Sequence, residues 1–215
     1  MLLSLFLMLF APLRASAGPP PIDELVAKIQ ETYEKTEDMK ALFIQDVTIK
    51  ALKKTEREEG TFYFKKPRMM RWDYELPKPK KLIINEKKMW LYVPEDRVAY
   101  VQDTKDTLDS RTIIKFLSGM GKIGEDFHLR YSDPPVNDSG DYLLILTPKS
   151  KELGVDKLYL TVDASDVRMK ECMFTDFYGN ITRLTFKNIK INNGLPSKLF
   201  TFAPPAGVET ARMPR

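Results

Sequence analysis

The chain has 215 residues, 43% of them hydrophobic and 30% charged, a balance that excludes a disordered chain, a collagen or coiled-coil repeat and a membrane-spanning bundle. Its 34 basic and 30 acidic residues leave a formal charge of +4, with Glu and Asp interleaved among the lysines, so a concentrated basic track for nucleic acid is excluded as well. One cysteine, Cys172, rules out an internal disulfide, and one histidine, His128, leaves little for a zinc site or a catalytic triad.

Leu2 to Ala11 is uncharged and apolar except for Ser4, and Ala15-Ser16-Ala17 follows as a small-x-small cleavage site. This predicts a secretory signal removed after Ala17, although no Lys or Arg precedes the apolar run. The run is far short of the ~20 residues that span a bilayer. No cysteine stands near the cleavage site, so lipidation there is not expected, and the mature chain from Gly18 to Arg215 is expected to form one domain.

The prolines of residues 18–21 delay the first helix, predicted from Ile22 to Lys35 by Ile22, Leu25, Val26, Ile29 and Tyr33 at three- and four-residue spacing. Strands are then predicted at Ala41–Lys50, Thr61–Lys66, Met69–Glu75, Lys81–Asn85, Met89–Val93 and Arg97–Gln102. Gly60 to Tyr74 reads as a hairpin. Phe62, Phe64, Met70, Trp72 and Tyr74 share one phase, charged residues dominate the other, and Pro67 marks the turn. In Met89-Trp90-Leu91-Tyr92-Val93 both phases are apolar, so that strand should be covered on both sides. Asp109-Ser110 offers an N-cap to a short helix, Arg111–Ser118, whose apolar side holds Ile113, Ile114, Phe116 and Leu117, with Gly119, Gly121 and Gly124 beyond it. Strands resume at Phe127–Tyr131, Tyr142–Pro148, Lys157–Asp163, Arg168–Asp176 and Asn180–Ile189, with a weaker candidate at Leu199–Phe202. About eleven antiparallel strands and two helical pieces imply an incomplete β-barrel closed by helices.

No catalytic constellation, phosphate loop or EF-hand spacing stands out, and neither metal nor cofactor is implied. Ten methionines and twelve phenylalanines supply a pliable apolar interior. From the residues alone, a packed core and a cavity wall for flexible chains use the same side chains, and both readings stand.

Several stretches resemble the outer-membrane lipoprotein carrier (LolA) family. They are the Gly60 to Tyr74 hairpin, with Gly-x-Phe-x-Phe, Lys-Pro and Trp-Asp-Tyr; Lys87-Lys88-Met89-Trp90-Leu91-Tyr92-Val93-Pro94; and Phe200-Thr201-Phe202-Ala203-Pro204-Pro205-Ala206-Gly207-Val208. Ala41 to Gln45 and Leu146-Thr147-Pro148-Lys149 resemble the family's early strand and mid-chain motif, whereas Lys66 stands where well-known members carry Arg, and Asn85-Glu86 replaces the usual Asp-Gly turn. The resemblance implies an open barrel with an α-helical lid over a hydrophobic cavity, and a non-enzymatic periplasmic carrier acting as a monomer. Its partners would be acylated lipoproteins, an inner-membrane ABC transporter that hands them over and an outer-membrane receptor that takes them. It further implies an acyl site of Phe62, Phe64, Met70, Trp72, Tyr74, Trp90, Tyr92, Ile113, Ile114, Phe116 and Leu117, with Lys66 as the clasp to the lid helix near Leu117 to Gly119. An envelope-stress sensor, or another amphiphile-binding module on the same barrel, is the alternative.

Overall fold

Alternation of apolar and charged residues carries most of the chain into one sheet. The computed structural model describes residues 18–104, 117, 123–150, 155–176 and 178–213. Helix α1 (Ile22–Glu34) begins after Pro21, carries Asp23 and Glu24 in its first turn, where the helix dipole favours acids, and buries Leu25 and Ile29. Its opposite side is held by the i,i+4 pairs Glu24–Lys28 and Glu31–Lys35, and Lys35 is its C-cap rather than its last residue.

Twelve strands follow: β1 (Asp38–Ile49), β2 (Lys54–Lys65), β3 (Met69–Leu76), β4 (Lys80–Ile84), β5 (Lys88–Val93), β6 (Val98–Asp103), β7 (Phe127–Val136), β8 (Tyr142–Pro148), β9 (Val155–Val162), β10 (Met169–Asp176), β11 (Ile181–Ile191) and β12 (Glu209–Arg212). A short helix, α2 (Ile123–Asp126), leads into β7. The strand order is β12-β6-β5-β4-β3-β2-β1-β11-β10-β9-β8-β7, so among the described residues β12 and β7 are the edge strands and the sheet does not close on itself. The incomplete antiparallel barrel is therefore the observed architecture.

β2 begins at Lys54, seven residues before the strand expected from Thr61, and two further details differ from expectation. The twelfth strand, β12, pairs parallel with β6, and Leu199–Phe202 is not a strand: Ser197–Phe200 forms a turn of 3-10 helix instead. Pro196 precedes that turn, and Phe200 is fully buried by lying across the sheet rather than in it.

Register decides which side chains share a face. Phe62 pairs with Trp72 and Phe64 with Met70 across the hairpin; Trp72 pairs with Leu82 and Met70 with Ile84 one strand on. Met39, Ala41 and Phe43 of β1 and Leu184 and Phe186 of β11 extend this inner face, and α1 packs over it through Leu25 and Ile29. The outer face has its own apolar patch. Ile83, fully buried, pairs with Trp90, and the segment after β11 runs across them. That segment is tied down by Lys65 Nζ on the Leu195 carbonyl, Arg71 Nη1 on the Leu199 carbonyl and Asn85 Nδ2 on the Phe200 carbonyl, at 2.7, 2.9 and 3.1 Å.

Candidate functional site

The hairpin of β2 and β3 lines its inner side with rings because every second residue there is aromatic or methionine. Phe62 lies 4.3 Å from Trp72 between ring centroids, Phe43 meets Trp72 edge-on at 4.9 Å and Tyr74 at 5.0 Å, and Phe62 approaches Phe186 at 5.4 Å. Such offset and edge contacts add to simple burial. Between this wall and α1 lies a cavity bounded by Thr32, Tyr33 and Thr36 of the helix end, Met39, Phe62, Phe64, Met169, Ile189 and Ile191 of the strands, Arg168 just before β10, and Leu117. Its free room is about 20 Å³, space for about one water and none for an acyl chain.

The polar groups around the cavity are occupied elsewhere. Thr36 Oγ1 donates to the Thr32 carbonyl and Thr32 Oγ1 to the Lys28 carbonyl, each one turn back in the chain. Tyr33 is buried, and desolvation pushes its hydroxyl well above the ordinary phenol range despite a backbone bond to Met169. Arg168 donates to the Ile189 carbonyl and to Asp166, and its pairing with Asp166 raises its pKa further. The cavity surface is thus effectively apolar.

Of the residues expected at an acyl site, Phe62, Phe64 and Leu117 border the cavity. Met70 and Trp72 stand in the same wall, at 0% and 3% exposure, and Tyr74 lies further along it, half-buried. Trp90 and Tyr92 do not belong to this face. They point to the outer side, where their rings pack at 5.5 and 5.3 Å on Phe202. The reason is the pairing of Leu82 with Leu91 and Ile84 with Met89, which gives the inner positions of β5 to Met89 and Leu91. Ile113, Ile114 and Phe116 lie outside the described residues.

Lys66 fastens the end of α1, while the helix expected to receive it, Arg111–Ser118, lies outside the described residues except for Leu117. Lys66 Nζ donates to the carbonyl of Glu34, the last residue of α1, and lies 3.2 Å from Glu37 Oε1. An ammonium at a helix C-terminus meets orphan carbonyls and the negative end of the dipole, so the physical reason that favours a lid helix applies equally to α1. Asn192 Nδ2 adds a second bond there, to the Lys35 carbonyl at 3.1 Å. At the other end of α1, Tyr131 donates to the Pro20 carbonyl at 2.7 Å, and within the helix Gln30 accepts from the Gly124 amide at 2.9 Å.

The contribution of α1 to the cavity wall goes beyond what the sequence pattern indicates. That pattern places Tyr33 only as one member of an amphipathic stripe, and its distance from Leu25 and Ile29 along the stripe is the one available signal. Cys172 is fully buried, and desolvation pushes its thiol far above the reactive range, which suits an inert core residue. His128 is exposed on β7. Among the described residues, no cluster of three His, Cys, Asp or Glu side chains could hold a metal, and no helix is long and apolar enough to cross a membrane.

The family model described as outer membrane lipoprotein carrier protein LolA matches residues 34–203. The outer-membrane lipoprotein carrier protein of Dechloromonas aromatica is 28% identical over 198 residues, covering 92% of this chain and 89% of that protein. The protein of the same description from Pseudomonas paraeruginosa is 26% identical over 185 residues, covering 86% of each. Among solved structures, an uncharacterized conserved protein from Thermus thermophilus matches with a TM-score of 0.56 at 15% identity, covering 89% of this chain and 98% of that one, a likeness of fold.

Proposed function

The chain belongs to the outer-membrane lipoprotein carrier (LolA) family, and we propose that it holds the acyl chains of lipoproteins between α1 and the inner face of the sheet while they cross the periplasm. Within that reading it takes cargo from an inner-membrane ABC transporter, gives it up to an outer-membrane receptor, acts as a monomer and is exported by a signal cleaved after Ala17. The carrier does no chemistry.

The observation that carries this reading is the apolar wall of Phe62, Phe64, Met70 and Trp72 facing a helix fastened to the sheet by side-chain bonds, with a small cavity between them. Cargo supplies the force to open it. At ~0.8 kcal/mol per CH₂ removed from water, a chain of about fifteen carbons gains roughly 12 kcal/mol on entry. Leu25 and Ile29, the two fully buried residues of α1, are worth about 1.5 to 3 kcal/mol each, and the partly buried Ile22, Val26 and Tyr33 add less apiece. One acyl chain is therefore large enough to offset the contacts it displaces. Mass spectrometry of the protein purified from the periplasm without detergent should find acylated peptide or protein bound in stoichiometric amount. A preparation that carries none, and that also fails to bind a fluorescent fatty-acyl probe, would overturn the reading.

A further inference from the structure

Trp72 occupies the middle of β3, 3% exposed, with Phe62 opposite it on β2 and Leu82 on β4. Rings surround it: Phe43 at 4.9 Å, Phe62 at 4.3 Å, Phe186 at 6.2 Å and Tyr74 at 6.5 Å. Among the described residues its indole Nε1 is the one buried side-chain nitrogen or oxygen without a hydrogen-bond partner.

That is an unusual thing for an apolar wall to contain. An indole N–H is a donor and nothing else, and a buried donor with no acceptor bears its full desolvation penalty. Phenylalanine at the same place would make the ring contacts with Phe43 and Phe62 and carry no such burden. Tyr74 and Gln45, further along the same face, bond to each other at 3.5 Å. A lone pair brought in by a bound molecule would meet an indole N–H that no protein group occupies.

The surroundings restrict its chemistry. It has to be apolar enough to lie among rings and still present a lone pair. A carboxylate is disfavoured, because Arg168 at the cavity and Lys80 over the Tyr74 ring at 4.4 Å are already paired, with Asp166 and Glu58. A hydrocarbon has no acceptor. The carbonyl of an ester or amide that joins an acyl chain to its headgroup meets both conditions. Access follows the hairpin: Phe64 and Phe62 border the cavity, and Trp72 is the next ring after Phe62.

We propose that the Trp72 indole N–H is the polar anchor of the cargo site, donating to the carbonyl of an ester- or amide-linked acyl chain once α1 parts from the sheet. This rests on the carrier reading above. It makes the site selective for acyl linkages over plain alkyl chains and over free fatty acids.

The test uses the mature chain labelled with ¹⁵N at its indoles. The protein has two tryptophans, and Trp90→Phe, a change on the outer face, assigns the Trp72 signal. Methyl dodecanoate and an alkane of equal length are the probes. The ester should move the Trp72 indole proton downfield and slow its exchange, and the alkane should not. Trp72→Phe should lower affinity for the ester about threefold to tenfold more than it lowers affinity for the alkane, the value of one neutral hydrogen bond. Binding of both probes with no ester-specific shift overturns the anchor and leaves the carrier reading intact. So does an indole proton already downfield and slow to exchange before any probe is added. Failure of both probes to bind overturns the carrier reading and the anchor with it. If Trp72→Phe does not fold, the labelled parent protein still decides.

Discussion

Replacing Lys66 by leucine isolates the clasp on α1. The side chain is one-third exposed and its partner Glu37 is 72% exposed, so that ion pair contributes close to nothing. The bond to the Glu34 carbonyl is charge-assisted, a class worth about 1.5 to 3 kcal/mol when buried. Partial exposure brings it to about 1 kcal/mol, and the helix dipole adds about 0.3 to 0.5 kcal/mol. Lys66→Leu should then destabilise the protein by about 1 to 1.5 kcal/mol, read as a lower urea midpoint at unchanged slope. If cargo enters by parting α1 from the sheet, the same amount, about 1 to 1.5 kcal/mol, is removed from the work of opening. Apparent affinity for a fluorescent acyl probe should rise about fivefold to tenfold, and release to an acceptor should slow. Lys66→Arg should keep both properties near those of the parent. Lower stability with unchanged or weaker probe affinity would refute the idea that α1 is the part that moves.

Gly60 sits where an added Cβ would lie 2.0 Å from the Asp73 carbonyl oxygen, a backbone atom of the neighbouring strand with nowhere to go, so Gly60→Ala should destabilise by about 3 kcal/mol and lower the melting temperature by roughly 6 to 12 °C. Asp38, 2% exposed, accepts the amides of Asn193, Gly194 and Leu195; Asp38→Ala should destabilise by about 3 kcal/mol, with hydrogen exchange at 193–195 rising ahead of the rest of the sheet. The hydrogen bond from Lys170 to the buried Asp141 raises the lysine's pKa in the folded state, so its stabilisation is complete below the ordinary lysine value and is lost as pH rises through the folded pKa. Urea midpoints of the parent should therefore fall above ~pH 10, and Lys170→Met should start lower at neutral pH and lack that part of the alkaline decline.

Period-two alternation is enough to read the hairpin, because Phe62, Phe64, Met70 and Trp72 are apolar against a charged opposite phase and only one face could be inward. The same rule cannot orient Met89 to Val93, where both phases are apolar. Trp90 and Tyr92 are larger than Met89 and Leu91 and look like better wall residues, yet register with β4 turns them outward to Phe202. Finding this requires knowing that 195–202 crosses the outer face, a contact more than a hundred residues away in sequence. β12 escapes a sequence reading because Glu-Thr-Ala-Arg has no apolar alternation; it is held by parallel pairing with β6 at the sheet edge. For Lys66 the sequence indicates a cation seeking helix carbonyls but does not specify the helix, since a β-turn lysine carries no label for its partner.

Among the described residues two segments cover the sheet, and they are fastened in different ways, which on the carrier reading bears on which of them gives way to cargo. On the outer face the chain after β11 is held by three side chains on its carbonyls, by the Asp38 carboxylate on three successive amides and by the backbone ladder between β12 and β6, with Phe200 sealed beneath it. Releasing it would expose backbone groups that water must then satisfy, along with Ile83 and Phe200. On the inner face α1 keeps its own backbone bonds whether docked or not, since a helix satisfies them internally. Among the described residues, what ties it down is the packing of Leu25 and Ile29, with Ile22, Val26 and Tyr33 partly buried beside them, and side-chain bonds that involve Tyr131, Lys66, Asn192, Gln30 and Tyr33. Of these, Tyr131, Lys66 and Asn192 can turn to water at little loss because each lies at the edge of the sheet or in a turn. On the carrier reading, a ligand that gains about 12 kcal/mol per chain on burial should take the route that breaks less, parting α1 from the wall of Phe62, Phe64, Met70 and Trp72 while the outer strap keeps the sheet in shape.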